Sequence, residues 1–287
     1  EVFLPLRYFS HYIHDISFAD FRISDLIDKL PPLLSNLDAQ SIRNVENALE
    51  VNFMLHNKGV VADKRTYLSK EQIEEYNKFG NSDKFLLARK YGIDCKNVLP
   101  ETFLFHHGLK NADRKIKDYI KNKIFLDCGA FMGDSALVLL EYHPGKIYSF
   151  DISALNIKAY RDTLKNNGVP ESLAELLPYG IGAENKTVRF ADGLSGDTSL
   201  SQPGDSEVQI ITLDSFTADR PTVGFVKADI EGAGLDMAKG MANLLRRDRP
   251  VLSLAMYHTP EEFFEIKPFI ESLDLDYKFE VLSFSDG

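Results

Sequence analysis

Residues 125–135 read FLDCGAFMGDS, and the reading of this stretch decides the fold. An apolar run ends at Asp127 and gives way to a loop with glycines at 129 and 133. A strand that runs into a glycine turn and then a helix is the opening of a mononucleotide-binding unit, in which the glycines let a ligand approach the backbone. The dinucleotide spacing G-x-G-x-x-G is absent, because Ala130, Phe131 and Met132 separate the two glycines. No Gly-Lys-Ser/Thr ending follows for a nucleoside triphosphate. An acid at the loop mouth repels pyrophosphate and suits a cation, such as the ammonium of an amino-acid moiety.

Working outward, short apolar runs alternate with helical patterns after residue 123. The pattern predicts strands at 124–126, 147–150, 176–179, 208–213, 223–227, 251–257 and 277–284, and helices at 135–142, 154–165, 235–245 and 261–273. Such alternation predicts an α/β fold with a mostly parallel sheet and helices on both faces. Before residue 120 the texture is helical. Ile42, Val45, Leu49 and Phe53 recur at helical spacing, with Gly59 placed to end that helix. Ser69-Lys70-Glu71-Gln72 has capping-box form with Gly80 as the next stop, and Pro31-Pro32 is read as a break. Residues 1–120 are therefore expected to form a helical subdomain or lid, and residues 121–287 the sheet domain.

In a parallel sheet, ligands bind beyond the carboxyl ends of the strands. The predicted strands end at Asp127, at Asp151, at Asp229 with Glu231 beyond it, and at His258. Asp151 lies 24 residues after Asp127, the distance at which such a unit sets an acid against the ribose hydroxyls. S-adenosylmethionine offers adenosine for Asp151, an ammonium for Asp127, and a carboxylate for the helix start near Asp134 and Ser135. Asp229 and Glu231 can accept a proton from a hydroxyl, hold an ammonium, or bind a metal, the last disfavoured without a third ligand at short spacing. His258 suits proton transfer through its ordinary pKa near 6.5. His106-His107 is read as a packing element between the two regions. No metal site is expected.

The net charge of −10 argues against nucleic acid or an anionic membrane surface as the main partner. Lys115, Lys117, Lys121 and Lys123 fit a solvated helix face. Two cysteines, Cys95 and Cys128, and no apolar run of roughly 20 residues lead to an expected cytoplasmic protein with reduced thiols and no membrane span.

These stretches together resemble the FkbM family of S-adenosylmethionine-dependent methyltransferases. The resemblance runs through FLDCGAFMGDSA (125–136), IYSFDIS (147–153), LPYGIGAENKTVRF (177–190), ITLDSF (211–216), VGFVKADIEGAGLDMAKG (223–240) and PVLSLAMYHTPEEFFEIKPFI (250–270). It implies a class I, Rossmann-like methyltransferase fold in which Asp127, Gly129, Ala130 and Gly133 form the first cofactor motif. Asp151 would take the ribose with Ile152 beside it, Gly180 and Ile181 would lie near the adenine, and Asp229 and Glu231 would face the reacting centre. The implied activity is O-methyl transfer to a hydroxyl of a sugar, glycan or secondary metabolite, with His258 or Glu231 as base and Asp229 orienting. This chain departs from the family where a second acid is common and it has Gly234, and where its last residues LSFSDG (282–287) stand in place of one more antiparallel strand. An NAD-dependent oxidoreductase and a non-catalytic S-adenosylmethionine-binding protein are the rival readings. The missing middle glycine weighs against the first, and the ionisable strand ends against the second.

Overall fold

The computed structural model describes residues 3–9, 23–58, 70–190 and 206–284. Its strands are β1 (Phe3–Phe9), β2 (Ile124–Cys128), β3 (Lys146–Phe150), β4 (Ala174–Leu177), β5 (Tyr179–Ile181), β6 (Lys186–Phe190), β7 (Ser206–Ile211), β8 (Val223–Ala228), β9 (Val251–Leu254) and β10 (Lys278–Phe284). The helices are α1 (Ile23–Leu34), α2 (Ala39–Lys58), α3 (Lys70–Lys78), α4 (Lys84–Tyr91), α5 (Pro100–Phe103), α6 (Arg114–Ile120), α7 (Asp134–Leu139), α8 (Ala154–Asn166), α9 (Leu213–Thr217), α10 (Gly234–Lys239), α11 (Ala242–Asp248) and α12 (Pro260–Ser272).

Five strands form one sheet in the order β4-β3-β2-β8-β9, every pair parallel. Helices surround it, the Rossmann-like arrangement of class I methyltransferases. The central strands β2 and β8 are buried along their whole length, as a parallel sheet covered on both faces requires. Phe125 and Phe225 meet across them with ring centroids 5.4 Å apart. β5, β7 and β6 make a second small sheet, and β10 pairs with β1 in parallel rather than joining the main sheet. The stretch before residue 120, expected to be helical, thus includes one strand among its described residues.

Several predicted boundaries move for visible reasons. The stretch 235–245 divides into α10 and α11 at Gly240, whose backbone lies so close to Gly182 that a Cβ would fall 2.0 Å from its carbonyl oxygen. Gly80 does not stop a helix. It sits in a π turn at Phe79–Asp83 leading into α4, and the left-handed residue that ends α4 is Gly92. Gly59 and Ser69 lie outside the described residues.

Pro31-Pro32 does not break α1, which runs through both prolines to Leu34. The carbonyls freed at its end find a donor in Lys267 of α12, which is 0% exposed. Its Nζ donates to Pro32 O at 3.1 Å, Ser35 O at 2.5 Å and Ser35 Oγ at 2.7 Å, and pairs with Glu271 Oε2 at 2.6 Å. Leu33, Val45, Phe79 and Leu109 belong to the same contiguous core as the sheet. Lys267→Met removes the donor to Ser35 O, while Pro32 O keeps Ser35 Oγ at 2.8 Å, and should cost about 1–3 kcal/mol of unfolding free energy. Lys29→Ala, at the partly exposed Lys29–Glu265 pair, should cost less than about 1 kcal/mol. Urea denaturation of both variants checks the contrast.

Candidate active site

The chain moves from β2 to β3 on one side, while β8 and β9 occupy the other. The loops after β2 and β8 therefore diverge, and a crevice opens between them beyond the strand ends. In register, Asp127 lies opposite Lys227 and Cys128 opposite Ala228. Asp229 N donates to Cys128 O at 3.0 Å, so the two loops begin back to back. Gly129, at φ 81°, approaches so closely that a Cβ would lie 1.8 Å from the Asp229 carbonyl oxygen. Backbone contact alone demands glycine here. Gly133, at φ 86°, turns the chain into α7. Gly129 N and Ala130 N both donate to Phe150 O, at 2.9 and 3.0 Å.

Asp127 lies beneath this loop, fully buried, and not at its mouth. Lys227 Nζ stands 3.3 Å from Asp127 Oδ1 and donates to Gly129 O at 2.5 Å. The Ser149 hydroxyl donates to Asp127 Oδ2 at 3.2 Å and itself accepts from Tyr160 OH at 3.0 Å. Burial pushes the Asp127 carboxyl up while Lys227 pulls it down. Burial disfavours the Lys227 ammonium, but Asp127, Asp229 and Asp134 outweigh it and raise its pKa. Both pKa values are raised, the first favouring a neutral carboxyl and the second a charged ammonium. Several carboxylates around one ammonium decide for the ion pair. The charge expected to select a cationic ligand is thus already answered by Lys227.

Asp134 and Ser135 are also committed inward. Thr102 Oγ1 donates to Asp134 Oδ2 at 3.1 Å, and Ser135 Oγ meets His107 Nε2 at 2.9 Å. Burial pushes the Asp134 carboxyl up to about 6, and a carboxylate there is no donor for a ligand's carboxylate. His106 contacts Tyr142 OH at 2.9 Å, so His107 packs on α7 and His106 on the turn that follows it.

Asp151 stands at the end of β3. Its oxygens accept from Phe131 N at 2.9 Å, Ser153 N at 2.9 Å and Asn156 Nδ2 at 3.2 and 3.3 Å. Burial raises its pKa against those bonds. These donors fix the carboxylate at the loop that carries Phe131, which is 37% exposed at φ 45°. Ile152 packs on the cluster of Phe190, Val208 and Ile210. A Cβ at Gly180 would meet Ile210 Cδ1 at 2.4 Å and Ile152 Cγ2 at 3.5 Å. The sheet edge at Gly180–Ile181 thus approaches Ile152, beside the acid.

On the far side of the crevice, Asp229 accepts from Tyr257 OH at 3.0 Å, and His258 Nε2 stands 3.0 Å from the same oxygen. That second approach is an ion-pair contact with the N–H off the oxygen's axis, since Nε2 makes no aligned hydrogen bond. His258 Nδ1 pairs with Glu262 Oε2 at 2.9 Å, and Glu231 Oε2 lies 3.8 Å from Nε2. Burial alone would depress the imidazole, but Asp229 and Glu262 raise it to about 10. Burial likewise opposes the Asp229 carboxylate, yet His258, Lys227 and Tyr257 hold it far below the usual range. A pKa raised in this way favours the imidazolium at neutral pH, whereas the sequence position suggests a base titrating near 6.5. Glu231 sits at φ 50° with its side chain about half exposed (53%).

Two acids escaped the sequence reading. Glu262 Oε1 accepts from Gly234 N at 2.6 Å, and a Cβ on Gly234 would lie 2.7 Å from that oxygen. A carboxylate from α12 thus abuts the position where the resembling family commonly has an acid. Only Thr259-Pro260-Glu261-Glu262, a capped helix start, hinted at it. The other is Glu101 of α5. Burial, with Asp229 and Asp134 nearby, pushes its carboxyl up to about 8. No motif marks it. Two surface hollows of about 370 and 480 Å³, lined by His106 to His143 and by Ala154 to Pro178, contain none of these strand-end acids. The site is located by its charged groups. Among the described residues no cluster of three His, Cys, Asp or Glu has metal-binding geometry, and no helix is long and apolar enough to cross a membrane.

The Methyltransferase FkbM domain model matches residues 127–280. Among solved structures, the chain is similar to a methyltransferase FkbM from Methylobacillus flagellatus KT, 16% identical with a TM-score of 0.48, over 89% of this chain and 55% of that one. It is also similar to an SAH-bound Podospora anserina methyltransferase, PaMTH1, at 14% identity and a TM-score of 0.29 over 72% and 74% of the two chains. An rRNA methylase from Streptococcus thermophilus follows at 15% identity and 0.29 over 46% and 59%. The chain spans about half the length of the first of these. No curated protein matches it.

Removing one member of the buried pair should be costlier than removing both. Lys227→Met should lose about 3–5 kcal/mol of stability, and Asp127→Asn added to it should restore much of that loss, read from denaturant midpoints. His258 gives a pH signature. A histidine whose folded pKa lies above its unfolded value contributes fully below about 6.5 and loses that contribution as pH rises through about 10. Melting temperature should therefore fall between pH 7 and 10, and fall less in His258→Gln.

Proposed function

The chain belongs to the FkbM methyltransferase family, and on that premise we propose that it uses S-adenosylmethionine to methylate a hydroxyl oxygen of a sugar, glycan or secondary metabolite. The observation that carries this reading is the crevice between the loops after β2 and β8, in which Asp127, Asp134, Asp229, Glu231 and Glu101 gather around Lys227 and His258. An excess of carboxylates suits a ligand with cationic centres. The Gly129 cradle, closed to any Cβ, fits the same ligand. Asp151 accepts from three protein groups. A carboxylate has about four acceptor sites, and because the Asn156 amide forks across both oxygens, a ribose hydroxyl can take one of its two places.

When bound, the cofactor supplies an electrophilic methyl group on a sulfonium. The chain's own residues align the acceptor and exclude water, and alignment can lower a barrier by ~7–11 kcal/mol. Asp229, kept ionised by His258 and Lys227, orients the acceptor hydroxyl as a hydrogen-bond acceptor. Glu231 takes the hydroxyl proton, because His258 already carries one and Asp229 is held too acidic to keep one. His258 then acts by locking Asp229. The region before residue 121 acts as a lid that supplies acceptor specificity.

Calorimetry with S-adenosylhomocysteine should give saturable binding that Asp151→Asn weakens at least tenfold. An acceptor screen with methyl-labelled cofactor should yield an O-methyl product, and Glu231→Gln should slow its formation by about 10²–10⁴. Absence of binding at millimolar ligand overturns the cofactor, and a labelled nitrogen or carbon product overturns the O-transfer.

A further inference from the structure

Glu262 stands behind His258 with both carboxylate oxygens engaged, and no role proposed above uses it. It enters from the first turn of α12, where Glu262 N donates to Thr259 Oγ1 at 3.1 Å, and it is 1% exposed. Oε1 accepts from Gly234 N at 2.6 Å, and Oε2 meets His258 Nδ1 at 2.9 Å. A Cβ at Gly234 would stand 2.7 Å from Oε1. The carboxylate thus occupies a place that only glycine leaves open.

This geometry fixes the histidine. A carboxylate only accepts hydrogen bonds, so the N–H in the bond to Oε2 has to come from Nδ1. Nε2 is thereby turned toward the crevice, 3.0 Å from Asp229 Oδ1 and 3.8 Å from Glu231 Oε2. The Tyr257 ring lies against the imidazole with centroids 4.1 Å apart, and Tyr257 OH donates to Asp229 Oδ1 at 3.0 Å. Asp229 is therefore held by two neighbours on the segment after β9, and one of them is oriented from α12. An imidazole held by Asp229 alone could present either nitrogen to it. The bond from Nδ1 to Glu262 removes that freedom.

Resting on the methyl-transfer reading above, we propose that Glu262 is a positioning residue for that reaction, which keeps the proton on His258 Nδ1 and so aims Nε2 at Asp229, the group that orients the acceptor hydroxyl. Both its oxygens are used inside the protein, so it acts through His258 and not by touching a ligand. Gly234 belongs to the same arrangement, since a side chain there displaces Oε1. A carboxylate that merely fastened α12 to α10 through Gly234 N would have no need of the imidazole. No covalent step is involved.

Nitrogen NMR of the imidazole rings tests the hold on His258, whose signals are identified by their loss in His258→Gln. The wild-type chain should show Nδ1 protonated at neutral pH. An unprotonated Nδ1 overturns the proposal, and that measurement requires no variant to fold. In Glu262→Gln the amide oxygen still accepts from Gly234 N, but the amide nitrogen offers Nδ1 a donor, so Nδ1 should lose its proton while Nε2 keeps one. With an acceptor found by the labelled-cofactor screen, Glu262→Gln should lower kcat about 10–100-fold and leave S-adenosylhomocysteine affinity unchanged. In a His258→Gln background the same substitution should have little further effect, because residues that act as a unit are not additive. Losses that multiply across the two substitutions overturn the proposal, as does a wild-type kcat in Glu262→Gln. Absence of O-methyl transfer by the wild-type chain overturns the methyl-transfer reading itself, a result distinct from a Glu262→Gln protein that works as well as wild type.

Discussion

The contact on which the rest depends is Lys227 Nζ, held between Asp127 Oδ1 at 3.3 Å and Gly129 O at 2.5 Å. It joins the ends of the two central strands where the chain reverses its order through the sheet. The ammonium reaches past β2 to the first carbonyl of the glycine loop, so the loop's position is set from β8. A buried ion pair seldom adds net stability over apolar replacements, because desolvation consumes most of the Coulomb energy. What it provides here is registration of two loops that otherwise share one backbone hydrogen bond and a close approach at Gly129. The site is thus built on a charge pair whose value is geometric.

A second charged chain extends from the first. Lys227 acts on Asp229, Asp229 faces His258, and His258 is held from its other side by Glu262, whose second oxygen takes Gly234 N. The order of acid and base along this chain leaves Lys227, Asp229 and His258 more firmly charged. That firmness is why neither Asp229 nor His258 is suited to move a proton near neutrality. Groups that titrate near working pH are better shuttles, by Brønsted reasoning. On the proposed function, the fixed charges position the acceptor and Glu231 is left for proton transfer.

The alternation of strand and helix after residue 123, and the acids at successive strand ends, were legible in the sequence because strand ends and period are local properties. The sheet order is as the class of fold predicts, and Asp151 does stand beside the glycine loop. Partnership was less legible. Asp127 and Lys227 lie 100 residues apart, and only the parallel pairing of β2 with β8 brings them into register. His258 looked like a base because an isolated imidazole titrates near 6.5. Its actual partners, Asp229 and Glu262, come from the end of another strand and from one turn further along its own segment. The run through Pro31-Pro32 was hidden for a similar reason, since the donor that tolerates it, Lys267, lies far along the chain.

Glu101 presents the extreme case. A glutamate after proline at a helix start is an ordinary pattern, favoured there by the helix dipole. What makes this one unusual is the docking of α5 on α7 through Thr102, which draws its carboxyl toward Asp134 and Asp229. The helical region before the sheet is therefore electrically part of the crevice, and its residues Leu33, Val45 and Leu109 share the core with the strands. A shift of α5 relative to α7 changes the charge presented to a ligand, because burial is the main cause that raises the Glu101 pKa. Packing of the early helices and the charge state of the site are in this way a single variable, coupled through one threonine hydroxyl and one buried aspartate.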